Sequence, residues 1–273
     1  MEKITSRQNK MVREGAALLS SAEERRSREE FLCEGARLCQ DAVRSGVEIH
    51  RCFFTGQARE KYARYLEPVL QVCEEAYWVE DHVAQLLSST KHSQGIFCQC
   101  RWPASLRAGE AGSLQDSSCA VLENLQDPGN LGTVLRTAEA LGIPQVFLLG
   151  DCCDPLSPKA LRASMGAVFR VRITLESSPE KLCRRLRDQG FTLLASVPDS
   201  TARQVTEIDF STGKYGVFIG NEGNGLSEET IALCGERVTI PMGGRAESLN
   251  ASAAATILLW EMVRRGGKGE AHG

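Results

Sequence analysis

Three stretches of the chain crowd glycines and polar side chains at the point where an apolar strand gives way to a helix: ENLQDPGNLGTVLR (123–136), FIGNEGNGLS (218–227) and IPMGGRAESLNAS (240–252). Their residue types suit ligand holding. Glycine lets backbone amides and carbonyls approach a bound group closely, and Ser248 and Asn250 supply donors and acceptors where a helix starts. Asn130, Arg136 and Glu222 add an amide, a guanidinium and a carboxylate from the other two stretches. Together the three read as one site.

Several familiar chemistries do not fit these residues. Gly220-x-x-Gly223-x-Gly225 is not the Gly-x-Gly-x-x-Gly dinucleotide fingerprint, and it falls late in its domain rather than after the first strand. No glycine-rich stretch ends in Gly-Lys-Ser or Gly-Lys-Thr, which excludes a nucleotide-triphosphate loop. No serine or cysteine sits in a recognisable nucleophile elbow. No metal site is expected, because Cys98-x-Cys100 lacks a second pair at zinc spacing and the four histidines form no motif.

The elements that must position these loops alternate between strand and helix. Strands are predicted at 119–123, 145–149, 168–173, 191–195, 215–219 and 237–240. Helices fill the gaps: one capped by Asn130 and ending before Gly142, and others opened by Ser157-Pro158, by Ser178-Pro179 and by Ser227. The last runs from about 249 to 265. This pattern predicts an α/β fold with a mostly parallel sheet covered on both faces, and ligands at the carboxyl ends of its strands. Upstream, helices near 6–20, 36–45, 57–66 and 81–87 alternate with strands at 49–55, 76–79 and 95–99, which makes a second, small α/β domain. The segment 103–118 collects Pro, Ala, Ser, Gly and Asp with little apolar periodicity. The expected organisation is therefore a domain over 1–102, a linker over 103–118 and a second domain over 119–273.

A length of 273 residues suits two domains, each able to bury its own core. Eleven cysteines, an odd number that includes the neighbours Cys152 and Cys153, read as reduced thiols of a cytoplasmic protein, with no secretion signal at the start. The longest apolar stretch, 251–263, is shorter than the roughly 20 residues of a membrane span and is interrupted by Glu261, so no membrane partner is expected. A net charge of −3 counts against nucleic-acid binding. Whole-chain charge can hide a local basic face, however, and Lys3, Arg7, Lys10 and Arg13 recur within one short segment.

In order and spacing, 124–136, 220–226 and 240–253 resemble the three motifs of the SpoU-type (TrmH family) 2'-O-ribose RNA methyltransferases of the SPOUT superfamily. The amino-terminal part is similar to that family's substrate-binding domain, a ribosomal-protein L30e-type fold, at Ile4-Thr5-Ser6 with Asn9, at Glu34-Gly35 and at Gln94-Gly95-Ile96. The resemblance implies a deep trefoil knot in the carboxyl-terminal domain, S-adenosylmethionine as cofactor, a homodimer that completes the active site, and RNA as substrate. Ribosomal RNA, of the 23S kind, is favoured over transfer RNA; a noncatalytic RNA-binding or ribosome-assembly protein is the reading from another class.

Carried onto this chain, the resemblance makes Arg136 the first catalytic candidate, acting as a base or as a phosphate and alkoxide ligand, and Asn130 an orienting amide. Glu222 would order the arginine or face the sulfonium, while Ser248 and Asn250 would place the hydroxyl. Gly220, Ile240, Met242 and Leu249 would hold the cofactor, largely through backbone. Arg162 is a secondary RNA-binding candidate. Taken alone, Arg136 reads as a surface ion-pair residue, Asn130 as a helix cap, and Ile240 and Leu249 as core.

Overall fold

A computed structural model describes residues 2–103, 106 and 117–266. The chain divides into two compact units, one from Met1–Arg107 with Asp154–Arg170 and the other from Ala108–Cys153 with Val171–Gly273. Most of the expected linker, 103–118, lies outside the described residues.

In the first unit the order is β1 (Glu2–Ile4), α1 (Lys10–Ser20), α2 (Ala22–Arg28), β2 (Glu30–Glu34), α3 (Ala36–Arg44), β3 (Ile49–Phe54), α4 (Gly56–Lys61), α5 (Ala63–Val72), β4 (Glu75–Val79), α6 (Asp81–Ala84) and β5 (Ile96–Arg101). Its sheet runs β1-β4-β3-β5-β2, parallel on the β1 side and antiparallel around β5. The residues that carried the resemblance are its joints. Asn9 caps α1 by accepting from the amides of Met11 and Val12. Gln94 Oε1 accepts from the Ala36 amide at 2.8 Å, serving α3 as the cap that Gly35 has no side chain to provide. Glu34 accepts from the Ser88, Ser89 and Thr90 hydroxyls at 2.7 Å each, which orders the loop leading to Gln94.

Next along the chain come β6 (Cys119–Glu123), α7 (Pro128–Ala140), β7 (Gln145–Leu149), α8 (Pro158–Ser164), β8 (Arg172–Glu176), α9 (Pro179–Asp188), β9 (Phe191–Ser196), β10 (Arg203–Gln204), β11 (Lys214–Ile219), α10 (Glu228–Cys234), β12 (Glu236–Thr239) and α11 (Ala251–Gly266). Of these, α8 belongs to the first unit and the rest to the second. The second sheet, β10-β12-β9-β11-β6-β7-β8, is parallel at every described pairing. Every residue of β6 and β7 is buried, as continuous apolar strands covered on both faces must be. Ser157, Ser178 and Ser227 each cap the helix they precede, and the first two are followed by proline at the first helical position.

Three expectations need correction. Asn130 does not cap α7: Asp127 does, accepting from the amides of Gly129 and Asn130, and Pro128 places the helix start three residues earlier. No strand covers 168–173; Ala167–Phe169 is a 3-10 turn and β8 begins only at Arg172. Positive φ at Met165 and Gly166 breaks the chain there, and Phe169 is buried against the ring of Phe31 within the first unit rather than in a sheet. The helix expected over 57–66 is two helices, broken at Tyr62. No described helix is long and apolar enough to cross a membrane.

Candidate functional site

Along one edge of the second sheet the strands lie in the order β12, β9, β11, β6, and each sends its carboxyl end into a loop. A cavity of about 430 Å³ opens there, within the range of small-molecule sites. Its walls come from 196–199 after β9, 219–226 after β11, and Thr239, Ile240, Met242, Ser248 and Leu249 after β12, with Ala251 and Ala254 of α11. Gly220, Ile240, Met242 and Leu249, expected at the cofactor, all line it, as do Glu222 and Ser248.

The hairpin 220–226 folds back on itself. Asn221 and Gly225 exchange backbone hydrogen bonds at 3.0 Å, and a Cβ on Gly220 would fall 2.0 Å from the Gly225 carbonyl carbon. No side chain fits there. The 123–136 loop lies beyond this hairpin, after β6, so it braces the cavity from behind instead of lining it.

The bracing is specific. Glu222 accepts from the amides of Gln126 at 3.2 Å and Asp127 at 3.1 Å and from Asn130 Nδ2 at 2.9 Å. Asn130 Oδ1 in turn accepts from Asn250 Nδ2 at 3.1 Å, while Asn250 Oδ1 caps α11 by accepting from the amides of Ser252 and Ala253. Three expected catalytic residues thus form one chain, Glu222–Asn130–Asn250, with a single polarity. Asn124 joins the same brace from a left-handed conformation, φ 52°; its carbonyl accepts from Asn221 Nδ2 at 2.7 Å, and its side chain accepts from the Asp151 amide at 2.8 Å.

Partial burial pushes the Glu222 carboxyl up, but the donors from Asn130, its own backbone, Gln126 and Asp127 outweigh it and hold the group below the ordinary carboxylate range. It is an anion at neutral pH. The stability it contributes is therefore full above the unfolded carboxylate range and is lost as pH falls through its depressed value. With both oxygens engaged by loop donors, Glu222 orients its neighbours rather than taking a proton.

Arg136 stands apart. It is exposed on α7 and is not among the residues lining the cavity, so the single chain does not join it to Glu222 or Ser248. The sequence reading in turn missed the wall 196–199 and Arg237, whose guanidinium pairs with Asp199 at that wall. The available signal was position alone: Val197-Pro198-Asp199 follows the carboxyl end of a parallel strand, where ligands bind. In the first unit Arg162 donates to Ser89 Oγ at 2.5 Å. Of the basic residues near the start, Lys3 pairs with Glu80 and Lys10 with Glu14, whereas Arg7 and Arg13 line a shallow groove with Gln8 and have no ion-pair partner among the described residues.

Comparison with known proteins bears on both units. Residues 117–260 match the SpoU rRNA Methylase family, and residues 9–98 match the MRM3-like substrate binding domain. The chain is 30% identical to a 23S rRNA (uridine(2479)-2'-O)-methyltransferase of Streptomyces viridochromogenes, over 96% of this chain and 92% of that protein. It is 26% identical to the 23S rRNA (guanosine(2553)-2'-O)-methyltransferase RlmP of Bacillus subtilis, over 96% and 99%. The crystal structure of an AdoMet-bound rRNA methyltransferase from Sinorhizobium meliloti superposes with a TM-score of 0.83 at 27% identity, covering 96% of this chain and 97% of that one.

Proposed function

Since the chain belongs to the SpoU rRNA methylase family, we propose that it methylates a ribose 2'-hydroxyl of large-subunit ribosomal RNA, with S-adenosylmethionine held in the cavity beyond β9, β11 and β12. One observation carries the reading: Gly220, Glu222, Ile240, Met242, Ser248 and Leu249, separated in sequence, converge on one cavity of suitable size. The residues fit the cofactor. Ile219, Leu226, Ile240 and Leu249 offer an apolar bed for a purine, and the glycine hairpin offers bare backbone. Three carboxylates, Asp199, Glu222 and Glu228, face one arginine, an excess of negative charge that suits a sulfonium.

When bound, the cofactor would supply an electrophilic methyl group for the attacking oxygen. The protein's own part is positioning. Glu222 fixes Asn130, Asn130 fixes Asn250, and the Ser248 hydroxyl sits on the cavity wall where a ribose oxygen can be met. Arg136 serves as a fixed cation for the target phosphate and for developing alkoxide charge.

The reading includes a homodimer. It is supported by α11, which packs on α7 through the Thr137–Thr256 hydroxyl pair and leaves Ile257 and Trp260 exposed, Trp260 by 52%. Exposed apolar side chains three residues apart on α11, the helix that packs on Arg136's own helix, suit a second copy that brings the arginine to a site. Trp260→Asp is expected to turn a dimer into a monomer at micromolar concentration in sedimentation equilibrium, since a central tryptophan anchors such contacts. A parent that is already monomeric removes the dimer. The trefoil knot belongs to the same reading, supported by family membership and by β11 lying between β6 and β9 with α11 packed on it. RNA recognition by the first unit is supported by its substrate-binding match and by the groove of Arg7 and Arg13.

Calorimetry tests the cofactor assignment. The parent should bind S-adenosylmethionine, and Leu249→Arg, which sets a charge into the cavity wall, should bind it at least tenfold more weakly, about 1.4 kcal/mol. No binding by the parent refutes the function; undiminished binding by a folded Leu249→Arg removes Leu249 from the site.

A further inference from the structure

Glu123, the last residue of β6, is 4% exposed, and no basic side chain pairs with it among the described residues. A buried carboxylate is costly unless its oxygens are met by donors. All of its donors come from one place, the start of α10: the Ser227 amide at 2.8 Å, the Ser227 hydroxyl at 2.8 Å and the Thr230 hydroxyl at 2.7 Å. Ser227 is the residue at which the 220–226 hairpin ends. Where that hairpin begins, Asn221 Nδ2 donates to the carbonyl of Asn124, the very next residue after Glu123. Both ends of the cofactor-lining hairpin are therefore tied to two consecutive residues of the neighbouring strand end, one tie a charged side chain and the other a backbone carbonyl.

The geometry points to Glu123 as a positioning residue for the cofactor. Its carboxylate holds the end of the hairpin against β6, so that Gly220 and Glu222 meet the ligand at fixed places. It touches neither the cavity nor the reacting groups, and it acts through Ser227 and Thr230. The inference rests on the cavity being the S-adenosylmethionine site.

Full-length parent, Glu123→Gln and Ser227→Ala proteins are titrated with S-adenosylmethionine by calorimetry well below their melting temperatures, and the KM for RNA is measured alongside. Glutamine keeps the size and an acceptor for the Ser227 amide but puts an NH2 where one carboxylate oxygen accepts from both the Ser227 and Thr230 hydroxyls, so affinity should fall roughly ten- to hundredfold with the RNA KM unchanged. Ser227→Ala deletes only the hydroxyl and should cost roughly three- to tenfold. A residue that merely stabilised the fold would lower the melting temperature and leave the affinity alone. Parental affinity in folded Glu123→Gln overturns the positioning role; if that variant does not fold, parental affinity in Ser227→Ala overturns it. A parent that binds no cofactor overturns the functional reading itself, and the positioning role with it.

Discussion

Arg136→Ala is expected to lower methyl transfer to RNA by at least 10²- to 10³-fold while leaving S-adenosylmethionine affinity at the parental value, the loss typical of removing one fixed donor from developing negative charge. The separation of the two effects follows from where the side chain is. Arg136 is exposed on α7, and the cavity is lined without it. Lysine should rescue poorly, because a point charge on a flexible stem does not replace a planar fork of donors. Single-turnover methylation with calorimetry on the same preparations measures both quantities. Turnover near the parent's would remove Arg136 from catalysis and leave Ser248 as the first candidate; a parallel fall in cofactor affinity would contradict its placement outside the cavity.

The second large effect is expected at Gly220. An alanine Cβ there would lie 2.0 Å from the Gly225 carbonyl carbon and 2.2 Å from the Leu226 amide nitrogen, backbone atoms that no rotamer change can move. The hairpin must open, and Asn221 must release Gly225. Gly220→Ala should therefore lose more than about a hundredfold in cofactor affinity, roughly 2.7 kcal/mol, with a stability loss of about 1–3 kcal/mol from the overpacked turn. Gly243→Ala is the matched control, because a Cβ there meets nothing within 4 Å; it should bind as the parent does. Equal affinities of the two variants would show that the hairpin does not shape the site.

Much of this was legible in the residues. Strands β6 and β7 have the bounds expected of them because continuous apolar runs between turn residues have little else to do in an α/β domain. Glycines and polar residues after strands marked two of the cavity walls. What stayed hidden depended on residues distant in sequence. β2 opens with Glu30 directly after a charged helix, and its burial makes sense only once Gln99 and His50 are placed within 2.7 Å of that carboxylate. The wall 196–199 has no glycine and no motif, and it becomes part of the site only because β9 lies between β12 and β11. The cap of α7 stayed hidden because Asp127 and Asn130 can each cap a helix, and the choice is settled by Glu222 and Asn250 claiming the Asn130 amide.

The seat of β11 also has a kinetic meaning. Its register against β6 sets Gly216 beside Cys119, and its other neighbour is β9. Most of the unit must be synthesised before these strands can meet, and the closure entropy of that long loop comes before any contact repays it. The cavity, which needs the ends of β9, β11 and β12 side by side, is thus absent until those three strands have paired. A ligand that recognises it cannot guide the early steps of folding; it can only draw the last equilibrium toward the finished state, by mass action on the product.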